Sequence, residues 1–175
     1  YYLRFDNVHG IVNNNIFTAD LDYENDYFIF QCNAGNMIYS HNVSSNCAVG
    51  STSTAYSGTF GITYYIFGGH AILDSNIDTN PRWCNFLFGR NQLASKAINN
   101  IFTTGTPGRH CFGIEGSNNQ NHIIANNTFY KGGFIIGDGG GTNAIITNNH
   151  FLDLESQIDF ATNCKTIIFS NNIVS

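Results

Sequence analysis

The chain predicts an all-β solenoid, a coil of short parallel strands stacked rung upon rung. Three observations carry this: an Asn corner, mostly an Asn-Asn pair, that returns at intervals of 22 to 34 residues, a short apolar run before corners, and a second apolar run of period two between them. Intervals of that size belong to repeat architectures, in which each unit buries its apolar face only against its neighbours.

The corners come first. They read Asn14-Asn15-Ile16-Phe17, Asn99-Asn100-Ile101-Phe102, Asn126-Asn127-Thr128-Phe129, Asn148-Asn149-His150-Phe151 and Asn171-Asn172-Ile173-Val174, with looser copies at Ser40-His41-Asn42-Val43 and Asp74-Ser75-Asn76-Ile77. Asn tolerates the left-handed backbone of a sharp bend, and its amide bonds nearby backbone. Stacked at a strand spacing of ~4.8 Å, the amides of Asn15, Asn42, Asn76, Asn100, Asn127, Asn149 and Asn172 can also bond one another as a structural ladder.

The strands follow from the apolar runs. Ile123-Ile124, Ala144-Ile145-Ile146 and Ile167-Ile168-Phe169 lead into corners. Between corners lie Phe28-Ile29-Phe30, Phe60-Gly61-Ile62, Phe86-Leu87-Phe88, Phe112-Gly113-Ile114, Phe134-Ile135-Ile136 and Ile158-Asp159-Phe160. Short alternating runs of aromatic and β-branched residues between Gly, Asn and Ser are strands. One repeat is therefore strand, polar turn, strand, Asn corner, third short strand and variable loop. No run sustains a period of 3.6, and the many Gly and Asn residues oppose helix.

From Val12 to Ser175 these residues resemble the right-handed single-stranded parallel β-helix proteins of the pectin-lyase-like superfamily. The seven copies of the corner imply about seven rungs with Asn-ladder corners, and residues 1–175 read as a single domain. The resemblance implies an extracellular, cell-surface or virion location and a choice of roles: polysaccharide lyase, glycoside hydrolase, tailspike or fibre, adhesin, or non-catalytic scaffold. Fold alone does not choose among these.

Composition narrows the range. Only 11% of residues are charged against 42% hydrophobic, and the net charge is −5. Nucleic-acid binding needs clustered Lys and Arg, so that partner is not expected. No apolar stretch approaches the ~20 residues of a membrane-spanning helix. The last corner runs to Ser175, so the reading expects a segment of a longer solenoid or one assembled end to end through its terminal rungs. Five cysteines, Cys32, Cys47, Cys84, Cys111 and Cys164, show no CxxC pair. Cys84 and Cys111 stand at similar places in adjacent repeats, where they stack as thiols or form a disulfide.

The loops after the corners line up on one side of a solenoid and form a stripe. It holds Asp20, Asp22, Glu24 and Asp26, then Arg82 and Trp83, Arg109 and His110, Tyr130 and Lys131, and finally Asp153 and Glu155. Arg82, Trp83 and Tyr130 suit a glycan, through an aromatic platform and a bidentate cation. If the chain is a lyase, Arg109 and Lys131 are the catalytic pair and His110 the acid. The first acidic run, Asp20 to Asp26, is the place for a hard cation such as Ca²⁺, and no other cofactor is expected. Asp74 and Asp78 read as turn residues.

Other segments read more plainly. Gly137 to Gly141 is a turn, Ser51 to Ser57 an inserted loop, and His41 and His150 lie in or beside corners as ladder substitutes. Asn42-Val43-Ser44 and Asn126-Asn127-Thr128 match the N-glycosylation sequon. The function expected is a non-catalytic structural fibre, filament or adhesin segment that contacts glycans, with a polysaccharide lyase or glycoside hydrolase as the alternative.

Overall fold

The structure is a computed structural model that describes residues 3–18, 30–45, 62–79, 84–89, 93–104, 110–114, 121–136, 143–155, 157–160 and 164–175. Among these every regular element is a strand. None is a helix long and apolar enough to cross a membrane.

The elements run in chain order. Two rungs carry two strands each: β1 (Leu3–Asn13) with β2 (Ile16–Thr18), and β3 (Phe30–Ser40) with β4 (Val43–Ser45). Then come triplets: β5 (Ile62–Phe67), β6 (His70–Asp74) and β7 (Ile77–Thr79); β8 (Cys84–Phe88), β9 (Lys96–Ile98) and β10 (Ile101–Thr103). They continue as β11 (His110–Ile114), β12 (His122–Ala125) and β13 (Thr128–Tyr130); β14 (Gly133–Ile136), β15 (Asn143–Thr147) and β16 (His150–Leu152); β17 (Ile158–Phe160), β18 (Thr166–Ser170) and β19 (Ile173–Val174).

All pairings are parallel and join consecutive repeats, so the fold is a parallel β-solenoid with three sides. The third side is a seven-stranded sheet, from β2 through β4, β7, β10, β13 and β16 to β19. The first and second sides are joined through β1 and β3, which run along both. The bend inside these long strands falls at Asn7 and Ala34, both at positive φ, and in the next repeat at Gly68. Gly35 and Gly69 follow it, also at positive φ. A Cβ on either would collide with backbone, the Val8 carbonyl for Gly35 and the Gly35 carbonyl for Gly69.

The expected count of about seven rungs is corrected. Turns built of three separate strands with a rung on either side number about four among the described residues: β5–β7, β8–β10, β11–β13 and β14–β16. Counting corners overstates the turns because β1 and β3 merge two sides and β17–β19 lies at the margin. Phe28, Ile29, Phe60, Gly61, the 51–57 insertion and the 137–141 turn lie outside the described residues.

Stacking converts each inward position into a column. On the first side Phe30, Tyr64, Phe86, Phe112 and Phe134 are in register, and Phe86, Phe112 and Phe134 stack with centroids 5.0 and 4.7 Å apart. On the third side Phe102, Phe129 and Phe151 stack at 5.8 and 5.0 Å. Such pairs add about 0.5–1.5 kcal/mol each beyond area burial. The second side meets these rings with smaller buried residues, Ala71, Ala97 and Ala144, beside Leu73, Ile124 and Ile146. Large side chains on the first and third sides against mostly smaller ones on the second, where Met37 and Tyr39 are the exceptions, fill the interior without overpacking.

Candidate functional site

The Asn pair divides its labour. The first residue takes the left-handed backbone: Asn14, His41, Ser75, Asn99, Asn126, Asn148 and Asn171 all have φ between 52° and 58°. The second turns inward and builds the ladder. At each step the backbone N–H and Nδ2 of one Asn both donate to Oδ1 of the Asn in the next repeat. Asn76 donates to Asn100 at 2.9 and 3.0 Å, Asn100 to Asn127 at 2.9 and 2.9 Å, and Asn127 to Asn149 at 3.0 and 3.0 Å. The pattern extends from Asn15 through Asn42 at one end and to Asn172 at the other. The remaining Nδ2 proton goes to a carbonyl, Leu73 O for Asn100 and Ala97 O for Asn127, both inside the rung below. His41 thus occupies the bend beside Asn42, and His150 opens β16; neither replaces a ladder amide.

The ladder fixes register, and register fixes what the outer faces display. On the second side the outward central position runs Ile11, Ile38, Ile72, Lys96, Ile123, Ile145, Ile168. Ile11, Ile145 and Ile168 are 67%, 41% and 47% exposed. Polar columns border this stripe. One rim carries His9, Asn36, His70, Asn121, Asn143 and Thr166; the other carries Asn13, Ser40 and Asp74 towards one end and Thr147 and Ser170 towards the other, with Ile98 and Ala125 between them, and it bonds in pairs such as Ser40 Oγ to Asn13 Oδ1 at 3.2 Å and Ser170 Oγ to Thr147 Oγ1 at 3.1 Å. Two shallow open grooves lie along the stripe, one on either side of Lys96. One of about 320 Å³ is floored by Ile11, Ile38 and Ile72. The other, of about 480 Å³, is lined by Ile123, Ile145, Ile168, Asn121, Asn143 and Thr166. An apolar floor with a few polar groups at its margins is the ordinary composition of a ligand groove.

Of the loop stripe expected from sequence, Asp20, Asp22, Glu24, Asp26, Arg82, Trp83 and Arg109 lie outside the described residues. His110 opens β11, its backbone in register with Gly133. Tyr130 closes β13, and Lys131 follows it at φ 69°. Lys131 Nζ lies 3.7 Å from Glu155 Oε1 of the next loop and 5.6 Å from the centre of the Tyr130 ring. Adjacent loops do come together there, as stacking requires, in a half-exposed cluster of one cation, one carboxylate and one aromatic ring. Among the described residues no group of three or more His, Cys, Asp or Glu side chains converges.

Cys84 and Cys111 are buried and not bridged to each other; Cys32 is buried as well, and Cys164 is half-buried. Cys111 belongs to the main core and Cys84 to a small cluster with Leu87 and Tyr65. Burial pushes the Cys111 thiol up to about 12, so it is inert as a nucleophile.

Two buried titratable groups escaped the sequence reading. Asp78 is no turn residue: it stands in the inward column of the third side, between Ser44 and Phe102, and is fully buried. Ser44 Oγ donates to its Oδ1 at 2.6 Å and Asn85 Nδ2 to its Oδ2 at 2.8 Å. Burial outweighs these bonds and raises the carboxyl to about 6. His122 is buried in the second side, its ring 5.1 Å from that of Phe88, and burial lowers it to about 4. The signal for Asp78 was present: Ile77-Asp78-Thr79 repeats Ile101-Phe102-Thr103 with the inward Phe replaced.

Compared with protein-family models, with curated proteins and with solved structures, the chain matches none.

Proposed function

We propose that the chain is a non-catalytic scaffold, a rigid solenoid at an extracellular, cell-surface or virion location that holds an extended glycan along the outer face of its second side. The pectin-lyase-like kinship implied by the repeat belongs to this same proposal, as does use of the rod as a fibre or adhesin segment. The single observation that supports it is the unbroken ladder from Asn15 to Asn172. A constant hydrogen-bonded step of ~4.8 Å turns single outward residues into straight columns, and straight columns suit a ligand that is itself a repeating chain. Aliphatic side chains meet the C–H faces of sugar rings, while the Asn, Ser, Thr and His rims meet hydroxyls. Lys96 places one cation in the stripe, so sugars with a carboxylate or sulfate gain over neutral ones.

The test is co-sedimentation with insoluble acidic and neutral polysaccharides, together with an assay of the polymer for new ends. Retention on the acidic polymer without cleavage is the expected result. Cleavage would move the chain to the lyase or hydrolase alternative, and absence of retention on any polymer would remove the glycan.

A further inference from the structure

The two glycosylation sequons stand on opposite sides of the same wall. In Asn42-Val43-Ser44, Asn42 is buried and both Nδ2 protons are spent, on Val12 O at 2.9 Å and Asn76 Oδ1 at 3.1 Å. Ser44 is buried too and donates to Asp78 Oδ1 at 2.6 Å. A sugar on Asn42 would sever the ladder and could not be housed in the core.

Asn126-Asn127-Thr128 reads the other way. Here Asn127 takes the ladder place, and Asn126 takes the left-handed bend at φ 57°. That backbone turns the Asn126 side chain out to solvent, where it is exposed, and its Nδ2 has one long contact, 3.5 Å to Asn99 Oδ1. Thr128 begins β13 with its side chain on the outward face, half-buried. The offset of one residue between the sequon and the Asn pair therefore decides the matter: in the first sequon the acceptor is the ladder residue, in the second it is the bend residue.

We propose that Asn126 is an N-linked glycan acceptor and that Asn42 is not. The donor is an oligosaccharide carried on a lipid diphosphate. Asn126 Nδ2 forms a bond to the anomeric carbon as the bond from that carbon to the diphosphate oxygen breaks. The lipid diphosphate leaves with the electron pair, and a base of the transferase takes one Nδ2 proton. The attached sugar projects from the exposed corner, past Asn99 and Asn148 in the neighbouring repeats, and displaces no ladder bond. This inference does not depend on the glycan-holding role proposed above.

The experiment secretes the whole chain from a eukaryotic host that adds N-glycans, then releases them with an amidase in heavy-oxygen water, which leaves a labelled aspartate at each occupied site. The folded, secreted fraction is expected to carry label at residue 126 and none at 42. Asn126→Gln and Thr128→Ala should each abolish the label, and Asn126→Gln, which places Gln in the left-handed bend, should lower the melting temperature by only about 2–4 °C because the ladder is untouched. An unlabelled Asn126 in folded material, or label at Asn42 there, overturns the proposal.

Discussion

Asn100 Nδ2 and Asn127 Oδ1 lie 2.9 Å apart in adjacent repeats, and the same oxygen accepts the Asn100 backbone N–H at 2.9 Å. One side-chain oxygen thus satisfies two buried donors. Asn100→Ala would strip the acceptor from the Asn76 N–H and Nδ2 and the donor from Leu73 O. Each orphaned buried group costs about 1–3 kcal/mol, so the loss should reach about 3 kcal/mol or more. Asn15→Ala, at the half-buried start of the ladder, should cost about 1 kcal/mol. Urea denaturation of both variants checks the ordering; equal losses would mean that the ladder is not what holds the corners.

The bend residues make a milder prediction. His41 sits at φ 52° and is exposed, in a column otherwise occupied by Asn except at Ser75. A left-handed backbone costs a residue other than Gly or Asn about 1–2 kcal/mol. His41→Asn should therefore raise stability by about 1 kcal/mol, equivalent to about 2–4 °C in a domain of this size. Thermal melting would show it, and a fall in Tm would refute the assignment of the bend to that position.

Asp78 and His122 set opposed pH dependences. Asp78 lies at about 6 when folded against 3.8 free, so the folded chain holds the extra proton between those values. Its contribution is full below the free value and is lost as pH rises through about 6, an effect of about 3 kcal/mol. His122 lies at about 4 against 6.5, so its contribution is full above 6.5 and is lost as pH falls through about 4, again by about 3 kcal/mol. Between roughly pH 4 and 6 the two slopes offset each other. Asp78→Asn should leave a Tm that falls as pH is lowered from 7 to about 4, and His122→Leu a Tm that rises over the same interval. If both variants follow the parent curve, neither group titrates as described.

The fold was legible where one residue type has one physical use. Asn pairs mark five corners, a single Asn marks the two at Asn42 and Asn76, and the alternating runs at 86–88, 112–114, 134–136 and 158–160 mark first-side strands, because both patterns repeat in register. The division of labour is hidden at the five corners where both positions are Asn; only His41 and Ser75, which take the bend while the following Asn is kept, hint at it. Asp78 resembles a turn residue in sequence because Asp is common in turns; its place in the Phe column becomes visible only when repeats are aligned strand by strand. The merging of two sides in β1 and β3 depends on single left-handed residues, Asn7 and Ala34, that carry no repeated signature. The outer face of the second side carries little charge signal, because its stripe is Ile but for Lys96, whereas the charged residues of the sequence gather in the loops.

The outer face of the second side is where the proposed glycan-holding role is tested most directly. Calorimetric titration of the chain with uronate-containing oligosaccharides of increasing length should give affinity that grows with length as more rungs are covered. Ile145→Asp, at an outward position remote from the core, should weaken binding by about tenfold, roughly the 1.4 kcal/mol of one lost apolar contact, and Lys96→Ala should erase the preference for acidic over neutral chains. Heat that is absent, independent of length or untouched by both substitutions, or oligosaccharides recovered shorter than they were added, would contradict it.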